Sequence, residues 1–392
     1  MGTKRWRPQL IALAILLAFV GFSYSYVRYF VRSRTHGVIV FFVPGASPEL
    51  LALAQARDPN RKLSGLDHAD SMAFVESQCS DQLTGDAAAL ASFLATGQPG
   101  PAGRLSLQYD GKPADTLLYE AQRRGRAVGV VSSGSITSPG VAAFYSHQSD
   151  ASVSATIAQQ LLDTTRIDLI LGGGREIFAA EKKEGRRDLE KEAEKLDYTL
   201  VFDRAGLENF PAWNTRRLLG LVAPDALPLA TSGGEAGTIR LADLLRRSIE
   251  TLAYNLLGYF LVVDHPLVAA AAGQNQAELA VRQLHELDRA VETARKYAGK
   301  NALILVYCPY SVGGFQFLEK SKDTATSNRR LSPLSWHNGP GKKGSDPTAF
   351  STGRPAAPSA GFGWVAAYGR GSEQISGIMN PGELHAILSR QL

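Results

Sequence analysis

Residues 38–43 read Val-Ile-Val-Phe-Phe-Val and stop at Pro44-Gly45. A run with no polar alternation is a strand buried on both faces, and only a largely parallel sheet covered by helices provides that environment. Further apolar runs follow at 127–131, 167–171, 259–263, 303–307 and 364–368. Helical apolar periodicity lies between them, at 86–94, 153–162, 188–195, 241–252 and 278–296. Strands alternating with helices predict a three-layer α/β/α domain over residues 36–392, with a central sheet flanked by helices. Reactive groups in such sheets sit just beyond the carboxyl ends of the strands. Residues 319–359 lack apolar period and are rich in Lys, Ser, Pro and Gly, which predicts a flexible insertion.

The segment ahead of this domain is of another kind. Residues 10–27 are apolar and uncharged, long enough to span a hydrocarbon core as a helix. Trp6, Tyr24, Tyr26 and Tyr29 stand at the two ends, where amphipathic rings favour the interface. The run ends Gly21-Phe22-Ser23-Tyr24, which lacks the small residues of a leader cleavage site, so an uncleaved transmembrane anchor over 1–35 is expected rather than a signal peptide. Lys4, Arg5 and Arg7 precede the span and Arg28, Arg32 and Arg34 follow it, so basic residues alone leave the orientation open. Those six also account for the formal charge of +5. The rest carries 36 basic residues against 37 acidic ones, which excludes a basic body gripping nucleic acid. The seven histidines show no metal-binding spacing, and Cys79 and Cys308 read as two small buried hydrophobes, with pairing left open.

Several ordered stretches resemble the alkaline phosphatase family: Thr137 with Ala142-Ala143-Phe144-Tyr145-Ser146-His147, Ile170-Leu171-Gly172-Gly173-Gly174-Arg175 with Phe178, Gly185-Arg186-Arg187-Asp188-Leu189, Tyr198, Asp203-Arg204, Leu219-Gly220-Leu221-Val222-Ala223 and Leu287-Asp288-Arg289-Ala290-Val291. The resemblance runs from about Val38 to Leu388 and implies that family's fold. It also implies a serine nucleophile, two zinc ions and a magnesium ion, because metals about 4 Å apart activate the nucleophile and stabilise the leaving oxygen.

The matching positions here offer little of that. Where the family has a metal-bridging Asp after its first strand, this chain has Pro44. The family's Asp-Ser becomes Asp86-Ala87, so the nucleophile position carries a methyl group. The magnesium-binding Thr-His-x-Thr becomes Thr137-Ser138-Pro139-Gly140, and the phosphate-gripping arginine becomes Ala151. Asp264 keeps a carboxylate where the family has Glu. The downstream Asp and His fall on Ala269 and Gly273, the next Asp-His pair on Pro309-Tyr310, and the last zinc histidine near Pro358. The resemblance therefore implies a membrane-anchored pseudophosphatase acting as a scaffold or binding module for a partner that the sequence does not name. No cofactor is expected, and the domain is expected on the extracytoplasmic side.

The alternative is a divergent hydrolase with a relocated site, which would restore zinc and magnesium. Asp70-Ser71 is an intact Asp-Ser pair, with His68 and Ser80-Asp81 nearby; its plainer reading is the cap of a short helix. A second candidate is a new cluster of Asp264, His265 and Tyr310. Three polar residues in a cleft are more often just hydrogen-bonded to one another or to water.

Overall fold

The computed structural model describes residues 7–26, 35–57, 63–163, 166–183, 187–213, 217–230, 237–313 and 361–392, with short backbone pieces between 316 and 359. A helix, α1 (Arg7–Tyr26), stands at the N-terminus, and none of its most apolar window is buried against the rest of the protein.

The sheet has ten strands: β1 (Gly37–Phe42), β2 (Ser71–Glu76), β3 (Ala127–Ser135), β4 (Leu169–Gly173), β5 (Thr199–Val201), β6 (Leu218–Leu221), β7 (Tyr259–Asp264), β8 (Ala302–Cys308), β9 (Phe362–Gly369) and β10 (Gly377–Met379). Their spatial order is β10-β2-β9-β8-β1-β7-β3-β4-β6-β5, and only β9 runs antiparallel to its neighbours. β1 lies between β7 and β8 with all six residues buried, as its unbroken apolar run requires. Two groups of helices flank the sheet. Leu241–Leu252, Leu267–Gly273 and Ala277–Ala298 pack on one another in the first group, and Ala87–Thr96, Leu117–Arg123 and Pro381–Gln391 in the second. This is the α/β architecture that the alternating pattern predicts.

Two elements differ from expectation. Ser71 opens strand β2 and caps no helix. Ala73 and Val75 are buried and Met72, Phe74 and Glu76 exposed, the period of two that a half-covered strand produces. The 319–359 stretch lies outside the described residues apart from two-residue strands at Leu334–Ser335, Lys342–Lys343, Phe350–Ser351 and Pro358–Ser359.

Candidate functional site

The carboxyl ends of β1, β3, β7 and β8 converge. Phe42 and Ser132 stand in register on either side of Asp264. Asp264 is buried, and its Oδ2 accepts hydrogen bonds from Ser138 Oγ and from Ser132 Oγ at 3.4 Å. Burial raises this carboxyl to about 7, against the lowering effect of the two hydroxyls. Gly140 opens no space beside it. A Cβ there would lie 2.3 Å from Asp264 Oδ1 and 2.8 Å from Phe42 Cδ1.

Asp86 caps the helix Ala87–Thr96. Its Oδ1 accepts from Ala89 N at 2.8 Å and its Oδ2 from Gly103 N at 2.8 Å. Gly103 O in turn accepts from Ala151 N at 2.8 Å, which brings the phosphate-gripping position beside the nucleophile position. Ala87, Ala151 and Ala269 all pack against the apolar core. Tyr310 is within electrostatic reach of both carboxylates. Burial first, then the charges of Asp86, Cys308 and Asp264, push its hydroxyl above the usual range. Its carbonyl accepts from Gly45 N at 3.0 Å. Gly45 has φ +86°, and a Cβ on it would stand 2.7 Å from Ala269 Cα, so the turn at Pro44-Gly45 touches the helix carrying Ala269 and Gly273. That helix also contacts the strand Ser311–Val312, whose backbone pairs with Pro358–Ser359. Pro309 is buried, and its carbonyl accepts from Ser77 Oγ.

The positions assigned by resemblance thus gather at one end of the sheet, while the two rival constellations do not form. Asp70 lines a depression with Ala302, Arg295 and Tyr368 near the start of β8, away from the strands' carboxyl ends, and its Oδ2 accepts from Gly369 N at 2.6 Å. Asp264 and His265 are adjacent in the chain and turn to different partners, as successive residues of a strand do. His265 Nδ1 meets Ser133 Oγ at 2.7 Å and Nε2 meets Gln283 O at 3.0 Å. Burial lowers its pKa to about 4, so at neutral pH Nε2–H donates to the carbonyl and Nδ1 accepts from the serine. His265 is therefore no partner for Asp264 or Tyr310. Sequence reasoning missed Ser132, Ser133 and Ser77. Polar residues at the very end of a buried strand such as β3 were the available signal for the first two.

Cys308 is buried, its thiol pushed up to about 12 by burial, and its Sγ lies 3.5 Å from Tyr310 O. Cys79 is half-buried, not buried as expected, and both thiols are free. The donor set does not fit a zinc pair. Asp86 is bound by backbone N–H groups and Asp264 by hydroxyls, and among the described residues no imidazole bonds to either. Among the described residues no group of three or more His, Cys, Asp or Glu could hold a metal ion.

An alkaline phosphatase family profile matches residues 46–331, so the chain belongs to the alkaline phosphatase family. It is 27% identical over 237 residues to alkaline phosphatase 4 of Bacillus subtilis, covering 59% of this chain and 50% of that one. It is 29% identical to streptomycin-6-phosphate phosphatase of Streptomyces griseus, covering 56% and 59%, and 27% identical over 216 residues to a membrane-bound alkaline phosphatase of Bombyx mori, covering 48% and 39%. The chain spans about half the length of the curated relatives it matches. The structure superposes on the Thermus thermophilus alkaline phosphatase with a TM-score of 0.77 at 19% identity, covering 92% and 91% of the two chains. It superposes on the enzyme of the Antarctic bacterium TAB5 with a TM-score of 0.76 at 20% identity, covering 91% and 98%. A variant of that second enzyme is described with Mg bound in its M3 site.

Proposed function

We propose that this chain is a membrane-anchored, catalytically silent member of the alkaline phosphatase family that uses the fold as a scaffold or binding module, with its domain on the extracytoplasmic side. One observation carries the reading. The family-site positions meet in space, and what meets there is Pro44, Ala87, Ala151, Ala269, Gly273 and Tyr310 around two carboxylates already engaged by donors of the chain itself. Phosphoryl transfer needs metals or arginine clamps where charge develops, and Ala87 offers no nucleophile. The anchor rests on α1, whose 18-residue window from Gln9 to Tyr26 has a mean hydropathy of 1.7. The membrane-bound Bombyx mori relative is consistent with it.

The second reading is a divergent hydrolase that uses zinc and magnesium. The names of the relatives, all phosphatases, favour it. The two readings separate on the full chain purified in detergent, by metal analysis and by aryl phosphate hydrolysis with added zinc and magnesium. We expect no stoichiometric zinc and no turnover, and Ala87→Ser recovers nothing measurable, because members of a catalytic unit do not act singly. Stoichiometric zinc, or metal-dependent turnover lost in Ser71→Ala, would overturn the proposal.

A further inference from the structure

The opposite end of the sheet carries a feature unrelated to the phosphatase site. Thr35 and His36 lead into β1, and only eight residues, 27–34, separate the end of α1 from them. Even fully extended, that connection reaches about 30 Å. The surface around Thr35 is therefore the part of the domain tied to the end of α1. The carboxyl ends of the strands lie a further ~20 Å away, the length of a six-residue strand.

Two things surround Thr35. The first is an open cavity of ≈ 500 Å³ lined by Thr35, Arg124, Arg126, Leu257, Arg390 and Gln391, together with Leu392. Arg126 is buried and structural, donating to the carbonyls of Thr35, His36 and Gln391 and to the Leu392 carboxylate. Arg124 pairs with Glu120 and donates to Ser389 O, with its side chain 43% exposed. Arg390 is exposed and donates to Gln374 Oε1 at 3.1 Å. Three guanidiniums are set against Glu120 and the Leu392 carboxylate, a small positive excess carried by the exposed Arg124 and Arg390.

The second is the loop before β7, which presents Tyr254, Leu256 and Leu257 at 63%, 91% and 56% exposure. Single exposed leucines are ordinary, but three large apolar side chains within four residues are a contact surface. The loop is held in shape: Asn255 Oδ1 accepts from Leu257 N at 2.8 Å, Asn255 Nδ2 donates to Gly125 O, and Gly258 N donates to Asn255 O. Leu257 belongs to both features, so the apolar loop and the arginine cavity are one surface. His36 Nε2 meets Ala253 O at 3.3 Å, which ties the loop to the chain leaving α1.

We infer that this surface docks on the lipid bilayer, with Leu256, Leu257 and Tyr254 entering the interface and Arg124 and Arg390 meeting anionic headgroups. The inference rests on the anchor proposed above. Its chemistry is that of interfacial binding elsewhere, apolar side chains at headgroup depth flanked by arginines. Docking fixes the domain with the family-site cleft facing away from the membrane, toward whatever partner the scaffold engages.

The test uses the full chain reconstituted in vesicles of phosphatidylcholine, with and without phosphatidylglycerol. An environment-sensitive fluorophore is placed at Leu256→Cys or, as control, at Tyr109→Cys, in a Cys79→Ser background. Tyr109 is fully exposed on another segment, and Cys308 is buried. In anionic vesicles we expect the label at 256 to shift to the blue and to be quenched by lipids carrying a quencher at headgroup depth, while the label at 109 stays in water. Arg390→Gln and Arg124→Gln should each lower the ratio of docked to undocked label about fivefold, and high salt should mimic them. Circular dichroism on both variants separates lost docking from lost fold. A chain that floats with the vesicles while its 256 label stays in water overturns the docking and leaves the anchor standing. Equal insertion into neutral vesicles overturns the headgroup contact. A chain that floats with no vesicle overturns anchor and docking together.

Discussion

Replacing Asp264 with asparagine tests whether the old site holds a metal or a self-contained buried carboxyl. Asp264 is buried and its pKa is raised from 3.8 to about 7 by desolvation. A carboxyl raised on folding supports the folded state while protonated, and that support is lost as pH climbs from the unfolded value through the folded one. The window is therefore about pH 4 to 8. A rise from 3.8 to about 7 corresponds to ~4 kcal/mol across it. Asparagine removes the ionisation and keeps an acceptor for Ser138. With its oxygen at the Oδ2 position, where both serines donate, the new Nδ2 donor falls at the Oδ1 position, and an imperfect bond there costs about 1 kcal/mol. Asp264→Asn should thus be close to wild type at pH 5. By pH 8.5 it should have gained about 2–3 kcal/mol relative to wild type, because wild type is still losing stability over that range. The assay is urea unfolding of both proteins across pH 5–8.5, with chelator and again with zinc. A variant less stable than wild type at pH 8.5, with the deficit present in zinc and abolished by chelator, would refute the reasoning. It would show Asp264 to be a metal ligand.

Two further outcomes follow from the same geometry. Gly140→Ala puts a Cβ 2.3 Å from Asp264 Oδ1, so it should destabilise by about 1–3 kcal/mol in urea unfolding; a neutral effect would mean the cleft is open. His265, lowered to about 4 by burial, contributes stability that is present above pH 6.5 and lost as pH falls toward 4. His265→Gln should therefore flatten the acid limb of the stability profile by about 3 kcal/mol, read by thermal unfolding between pH 4 and 7.

The strands were legible where burial on both faces leaves an uninterrupted apolar run, as in β1, β7 and β8. β2 was not read, although Met72, Phe74 and Glu76 alternate with Ala73 and Val75, because the preceding Asp70 invited a helix cap. Asp264 and His265 are adjacent in the chain yet turn to different partners, in keeping with the plainer reading that the Asp264, His265 and Tyr310 candidates are separately hydrogen-bonded. The residues that resemblance assigns to the family site lie near one another at the carboxyl ends of the strands. The partners of Asp264 were beyond reach of the sequence. Ser132 lies opposite Asp264 only because β3 and β7 pair in that register, and a neighbouring strand's register is not written in either strand alone.

Why the fold persists with its site so altered follows from where the packing lies. The largest fully buried side chains include Phe41, Phe42, Phe144, Tyr145, Phe260 and Tyr307, within the sheet and the segment after β3. None of these is one of the positions that resemblance assigns to metal ligands. On the proposed reading, what loss of the metals would threaten is the carboxylates left behind, since an unpaired buried charge is costly. Both are handled locally. Asp86 becomes a helix cap, its two oxygens each taken by a backbone N–H. Asp264 is held by two serines, and burial drives it toward its neutral form. Alanine, glycine and proline at the remaining positions add no polar side chain that would need satisfying. Reversal would then demand several ligands at once. On the proposed reading, one restored imidazole would sit against Asp264 or Asp86 without a second metal, and no single substitution is expected to restore phosphoryl transfer.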